Sequence, residues 1–205
     1  NPFRVLSAFL NQKGMINMGM ISYVKQEIEV IRERDPAIKS NMEVFLYPSF
    51  KVILSYRVAH KLYLKKHYFW ARWISQRAAR KTGIEIHPGA TIGKGLFIDH
   101  GTGIVIGETT VIGENVKIYQ GVTLGALSTK GGQHLKGVRR HPKIEDNVII
   151  YSGASILGGD TVIGANSVIG GNAFITQSIE PGSRVSIKNQ ELNFMPGEEK
   201  EIQHF

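Results

Sequence analysis

An aliphatic residue, usually isoleucine, returns every six positions through the second half of the chain. Ile86, Ile92, Ile98 and Ile104 form one register, and Ile106, Ile112, Ile118 and Leu124 the next. Ile144, Ile150 and Ile156 follow, then Ile163, Ile169 and Ile175. A period of six fits neither an α-helix, at about 3.6, nor an alternating strand, at about 2.0. It marks a structural repeat. In a hexad such as Ile112-Gly113-Glu114-Asn115-Val116-Lys117, a short strand turns the aliphatic residue inward, and Gly or Asn permits the positive-φ turn that follows. Three hexads close one triangular coil, and stacked coils bury an aliphatic column that no single coil could bury alone. The pattern predicts a parallel β-helix over residues 84–182, with the one- and two-residue slips near Thr161–Ile163 and Ile104–Ile106 falling at turns. The hand does not follow from the period, and the usual crossover rule would favour the right-handed form.

Residues 1–83 follow a helical pattern instead. Ile21, Val24, Ile28 and Ile31 make one apolar stripe, with Glu27, Glu29, Arg32, Glu33 and Arg34 on the polar faces. Asp35-Pro36 should end that helix, because proline disfavours a helical residue before it. A second helix is expected over about 49–66, with Val52, Ile53, Tyr56, Ala59, Leu62 and Tyr63 inward. A third is expected over about 69–81, closed by Thr82-Gly83. The fold class is therefore α+β: a helical domain, a β-helix, and a C-terminal tail over 183–205. The chain opens on Asn1, with Met15, Met18 and Met20 as candidate starts, so residues 1–20 are expected to stand outside the fold. One excursion, from about Leu127 to His141, has no aliphatic residue where the period requires one. A loop ejected from a rigid coil is usually functional, and otherwise a tolerated insertion.

Composition narrows the classes. With 205 residues the chain can bury a sizeable core. It has no cysteine, which removes disulfides and thiol nucleophiles. No apolar run of about 18 residues and no signal-peptide pattern stand in the sequence, so a cytoplasmic protein without a membrane partner is expected. The net charge of +8 suits a soluble basic surface or a polyanionic ligand. Nucleic acid would need a recognised module or a basic stripe with stacking aromatics, and the repeats carry neither. A phosphate-bearing small molecule needs only a few Lys and Arg.

Three histidines draw attention. His87 precedes Pro88, His141 follows Arg140, and His100 lies in Ile98-Asp99-His100-Gly101-Thr102-Gly103. A lone surface histidine is ordinarily inert. His100 has an acid beside it, glycines around it, and Glu85 fifteen residues earlier, a separation that lets the two approach on neighbouring rungs.

These strings resemble the serine O-acetyltransferase family. The resemblance is carried by Glu85-Ile86-His87-Pro88, by Asp99-His100-Gly101-Thr102-Gly103-Ile104-Val105-Ile106-Gly107-Glu108-Thr109, and by Gly121-Val122-Thr123-Leu124-Gly125. Arg140-His141-Pro142-Lys143-Ile144 and the upstream Arg34-Asp35-Pro36-Ala37 add to it. It covers about residues 21–180 and implies a left-handed β-helix. The implied reaction is acetyl transfer from acetyl-CoA, as co-substrate, to L-serine, the first step of cysteine biosynthesis. His100 would be the general base, a role that suits an imidazole whose ordinary pKa is about 6.5. Glu85 stands where the family has an aspartate that orients the base. Asp35 and Asp99 would hold the amino group and hydroxyl of serine, Arg140 its carboxylate, and His141 a further substrate contact. Gly125, Ala126, Ser152 and Gly171 would line the CoA groove, with Lys130, Lys136, Arg139, Lys143 and Lys188 as candidate phosphate partners. No metal is expected. The resemblance further implies a homotrimer with sites between subunits, or a dimer of trimers. It also implies that the tail docks on cysteine synthase, although the tail here ends in Phe205 rather than isoleucine, and Ser183-Arg184-Val185-Ser186 replaces the family's Gly-x-Pro-Ala.

Three other readings stay open on the residues alone. One is a hexapeptide acetyltransferase with another hydroxyl or amine acceptor, such as a sugar. Another is a trimeric zinc enzyme using His87, His100 and His141. The last is a non-enzymatic β-helical scaffold or regulatory partner of cysteine synthase.

Overall fold

The computed structural model describes residues 20–127, 134 and 137–187. Three helices lead into a parallel solenoid. Helix α1 (Met20–Arg34) ends at Asp35, as the Asp-Pro pair predicts, and α2 (Pro48–Leu64) carries proline in its first turn. Helix α3 (Tyr68–Thr82) ends on Gly83 in the left-handed conformation, at φ 70°, with the Gly83 N–H donating to Ala79. A short 3-10 turn, Glu43–Leu46, precedes α2 and has no signal in the apolar pattern.

The buried side of α1 differs from the expected stripe. Val24 and Ile28 are only half-buried, while Tyr23, Glu27, Val30 and Ile31 are buried. Glu27, read as polar-face residue, is 1 % exposed. Arg57 of α2 is the nearby charge: its guanidinium lies 5.5 Å from the Tyr23 ring, and its field acts on Glu27. Burial pushes the Glu27 carboxyl up to about 7, against the pull of Arg57.

The solenoid has three faces. Face A stacks β1 (Glu85–Ile86), β4 (Val105–Ile106), β7 (Thr123–Gly125), β10 (Ser155–Leu157) and β13 (Phe174–Ile175). Face B stacks β2 (Thr91–Ile92), β5 (Val111–Ile112), β8 (Lys143–Ile144) and β11 (Val162–Ile163). Face C stacks β3 (Phe97–Asp99), β6 (Lys117–Tyr119), β9 (Ile149–Ile150), β12 (Val168–Ile169) and β14 (Arg184–Val185). All neighbours are parallel, and the aliphatic positions lie in register: Ile86 on Ile106 on Leu124 on Ile156 on Ile175. The tail, expected to begin at residue 183, contributes β14, because Val185 can still pair over Ile169.

Two details of the repeat are corrected. Ile104 is buried, but Ile106 takes the place over Ile86. Ile104 belongs to a second inward column, with Val122 and Ala154, two residues ahead of each strand-end aliphatic. The glycines in second position do not supply the positive φ. A Cβ on Gly93 would stand 2.5 Å from the Gly113 carbonyl oxygen, so glycine there permits close coil-to-coil approach. The left-handed residues in these turns stand fourth instead, as asparagine at Asn115, Asn147, Asn166 and Asn172 (φ 57°, 58°, 61° and 57°) and as glycine at Gly95, Gly121 and Gly153 (φ 69°, 72° and 71°).

The helices close the lower end of the solenoid. The carbonyls of the first coil that point away from the second are bonded by helix side chains. Ser75 Oγ donates to Ile86 (2.7 Å), Tyr56 Oη to Ala90 (2.6 Å), and Arg57 to Ile92 and Gly93 (2.6 and 2.7 Å). His60 Nδ1 sits 2.8 Å from the Pro88 carbonyl oxygen. Phe97 of β3 is buried among Val30, Ile31, Val44 and Phe50, tying face C to α1 and α2. Among the described residues no helix is long and apolar enough to cross a membrane.

Two predictions follow from this packing. Ile118 is fully buried in the column, so Ile118→Ala should cost about 2–5 kcal/mol in denaturant unfolding and Ile118→Val about 0.5–1.5 kcal/mol. A loss below about 0.5 kcal/mol for the alanine variant would mean that the column does not hold the coils. Glu27 has a raised folded-state pKa, so the folded chain binds more protons than the unfolded one between pH 4.5 and about 7. Its contribution is intact below the lower value and lost as pH rises through the upper one. Glu27→Gln should therefore be the more stable form at pH 8 and lose that advantage at pH 4.5. Urea midpoints at the two pH values measure this.

Candidate active site in two halves

Most successive aliphatic positions are six apart, but eight residues separate Ile98 from Ile106. The two extra residues fall in the turn from face C to face A, and that turn bulges outward with His100 at its tip. His100 has φ 59°, unusual for a residue with a side chain, and is followed by Gly101 and Gly103 at φ 95° and 80°. Its side chain is 75 % exposed, and its Nε2 lies 3.9 Å from Asp99 Oδ1.

Asp99 ends β3 and points outward. Its other oxygen is 3.2 Å from the Lys117 ammonium. Asp35, just past the end of α1, is bound by the Ala37 N–H at 2.8 Å and by the Tyr47 hydroxyl at 2.6 Å. The Tyr47 hydrogen bond, then that of Ala37, holds the Asp35 carboxyl below its ordinary range, and the charges of Lys117 and His100 act in the same direction. The same bond pushes the Tyr47 hydroxyl up to about 12, so it remains a donor. Asp35, Tyr47, Asp99, His100 and Lys117 thus form one cluster. Glu85 points outward from β1, with its nearest ionic partner Arg72 at 4.0 Å. No hydrogen bond joins it to His100 among the described contacts.

Arg140 and His141 lie elsewhere, at the corner between faces A and B, where the excursion rejoins. Thr109 organises that corner. Its hydroxyl oxygen accepts from the N–H groups of Arg140 (2.9 Å) and His141 (3.1 Å), while its own N–H donates to His141 Nδ1 (3.1 Å). With Nδ1 an acceptor, the ring proton of neutral His141 belongs on Nε2. Burial, helped by Arg140, holds the His141 pKa below its ordinary value. The Arg140 guanidinium pairs with Glu108, whose second oxygen accepts from the Tyr63 hydroxyl at 2.8 Å. Burial opposes ionisation of Glu108, but the bonds from Tyr63 and Arg140 outweigh it and lower its pKa. His87 stands at the same corner, with Nδ1 accepting from Gly89, and burial pushes its pKa down to about 4. Gly107 makes room for this arrangement, since a Cβ there would overlap the His141 ring.

The expected CoA contacts divide in the same way. Gly125 and Ala126 lie at the A–B edge, and Ser152 and Gly171 in the turns from C to A, with Gly171 stacked over the Ser152 carbonyl. Lys143 is paired with Glu145 at 2.9 Å, and Arg139 bonds the His141 carbonyl at 3.4 Å. Lys130, Lys136 and Lys188 lie outside the described residues, as do most of the excursion and the end of the tail. Face A separates the two corners of one chain. Between them face A exposes Val105 (38 %) and Phe174 (71 %). Of the three histidines, His87 and His141 share one corner while His100 stands at another. Among the described residues no three such side chains converge as a metal site.

The sequence pattern passed over Tyr47, Tyr63, Glu108, Thr109 and Lys117. Glu108 and Thr109 stand within the Gly107-Glu108-Thr109 string, where a turn carrying an acid and a hydroxyl is the available signal. Lys117 could have been found from register, two residues ahead of the position over Asp99. Tyr47 and Tyr63 gave none beyond ordinary helix-side aromatics.

Comparison with known proteins gives one consistent answer. No family model matches the chain. Serine acetyltransferase of Bacillus subtilis is 51 % identical over 77 residues, 37 % of this chain and 36 % of that protein. Among solved structures, Entamoeba histolytica serine acetyltransferase isoform 3 in complex with cysteine has 41 % identity and a TM-score of 0.76, covering 87 % of this chain and 62 % of that one. Neisseria gonorrhoeae serine acetyltransferase in complex with serine has 34 % identity and a TM-score of 0.74, covering 89 % and 74 %. A serine acetyltransferase in complex with CoA has 34 % identity and a TM-score of 0.71, covering 82 % and 66 %. The chain spans under two thirds of the Entamoeba protein, and its match to the Bacillus protein spans little more than a third. The shared fold carries the hand, and the solenoid is a left-handed parallel β-helix.

Gly107→Ala should expel the His141 ring and break its bond to Thr109. The His141 pKa should then rise toward its ordinary value, as read by histidine NMR titration. An unmoved titration would mean that Gly107 does not seat the ring.

Proposed function

This chain belongs to the serine acetyltransferase family, and on that premise we propose that it transfers the acetyl group of acetyl-CoA to the hydroxyl of L-serine. The observation that carries the reading is the His100 turn, where two extra residues hold an exposed imidazole 3.9 Å from one of two outward carboxylates. In the proposed reaction a ring nitrogen of His100 takes the serine hydroxyl proton as the oxygen attacks the thioester carbonyl. The tetrahedral adduct collapses, breaks the C–S bond, and the departing CoA thiolate takes that proton back. The products are O-acetylserine and CoA, and no protein nucleophile is needed. Glu85 favours the protonated imidazole from the start of face A. Asp35 and Asp99 hold the amino group and hydroxyl of serine, while Arg140 takes its carboxylate and His141 a further contact. The planar fork of a guanidinium matches the two oxygens of a carboxylate, which is the ground for giving Arg140 that role.

These groups occupy two corners, so the proposed site is completed by a second copy. A threefold assembly around face A would bring the C–A corner of one subunit to the A–B corner of the next. The exposed Val105 and Phe174 support this, and the division of the CoA contacts agrees with it. A cytoplasmic setting in cysteine biosynthesis goes with this reading. So does docking of the end of the tail, which lies outside the described residues, on cysteine synthase.

Thiol release from acetyl-CoA should depend on L-serine, when tested beside homoserine, threonine and a galactoside. Preference for the galactoside would replace the amino-acid reading with the sugar one. His100→Ala should lower kcat at least about a hundredfold, and near wild-type turnover would remove His100 as base. Arg140→Ala should chiefly raise the serine KM. Co-expressing the two variants should restore part of the activity, because mixed trimers contain one intact site. No recovery in mixed assemblies would place the whole site within one chain.

A further inference from the structure

Lys117 occupies an outward hexad position, where a lysine ordinarily serves only solubility. Its surroundings here are different. On face C it stands between Phe97 below and Ile149 above, in fixed register. Its ammonium lies 3.2 Å from Asp99 Oδ2, 4.6 Å from the centre of the Tyr119 ring and 5.1 Å from that of Phe97. A carboxylate and two aromatic faces around one ammonium make a receptor for an organic cation. Partial burial works against the charge, but Tyr119 and Asp99 outweigh it and hold the Lys117 pKa above its ordinary value. The charge of Lys117 also reaches Asp35. Both carboxylates available to an acceptor's amino group are therefore already served by a cation of the chain itself.

We infer that Lys117 is the resident counter-ion of the acceptor's ammonium seat and sets how tightly that seat takes an amino-acid acceptor, an inference that rests on the function proposed above. Without Lys117 the seat presents two carboxylates to an incoming ammonium. With it, the acceptor must displace one cation or share Asp99 with it. Lys117 also lines a shallow cleft with Arg34, Asn115, Asn147 and Ile149, which gives the displaced side chain open space. Arg34 in that cleft opposes the move, so the resident pair with Asp99 is favoured when the site is empty.

The test is steady-state kinetics of wild type, Lys117→Met, Lys117→Gln and Lys117→Arg. L-serine is the acceptor, and two fragments serve as competitors. Ethanolamine has the ammonium without the carboxylate, and 3-hydroxypropionate the carboxylate without the ammonium. Lys117→Met and Lys117→Gln should each lower the serine KM and the ethanolamine inhibition constant about five- to tenfold, a Coulomb effect reduced by solvent. Kcat should stay within about twofold, and the 3-hydroxypropionate constant should not move. Lys117→Arg should behave as wild type. An unchanged or raised serine KM in the neutral variants overturns the inference, and so does an equal shift for both fragments, which would indicate a structural role. If wild type acetylates no hydroxy amino acid, the functional reading falls first and takes this inference with it.

Discussion

The carbonyls on the lower edge of the first coil have no coil beneath them, and an open sheet edge of this kind must be paired or covered. Here four side chains from two helices, Ser75, Tyr56, Arg57 and His60, meet those carbonyls one by one. That set of bonds fixes where α2 and α3 lie, and α1 packs on α2 through the buried Tyr23, Glu27 and Arg57. Phe97 completes the anchorage from face C. Asp35 hangs from the end of α1, so its place beside Asp99 and His100 is inherited from the way the solenoid's end is closed. A buried acid near a buried arginine is a costly means of joining two helices, and burial accordingly raises the Glu27 pKa against the pull of Arg57.

The polar groups of both corners are held by partners within the chain. Arg140 rests on Glu108, Glu108 on Tyr63, His141 on Thr109, Asp35 on Tyr47, and Asp99 on Lys117. Such pairing keeps charged side chains in one orientation on a scaffold whose strands are only two or three residues long. A ligand that took these groups would compete with partners already present.

Much of this was legible in the sequence because its repeat is spaced so regularly. A hexad places every sixth aliphatic residue in one column, and the excursion and the slip at Ile104–Ile106 announced themselves as breaks. What the period could not carry was contact between distant elements. Glu27 reads as a polar-face acid until Arg57, thirty residues on, is known to lie against it. Lys117 reads as a solvated hexad residue until register sets it near Asp99. Asp35 carried no local signal beyond ending a helix, and only the resemblance marked it. The separation of His100 from Arg140 follows from counting faces around the coil, a step that needs the strand pairing and not the period alone.

Eighteen residues carry the chain from Ile106 round to Leu124, but twenty from Ile86 to Ile106 and thirty-two from Ile112 to Ile144. Both halves of the candidate site sit where a coil exceeds eighteen. Lengthening a turn costs closure entropy that grows only slowly with length, and it leaves the inward column untouched. The scaffold and the chemistry are thus written in separate parts of the text: one in the residues that repeat, the other in the residues that interrupt. A lineage could trim or extend either interruption and exchange one acceptor for another while still inheriting an intact spine.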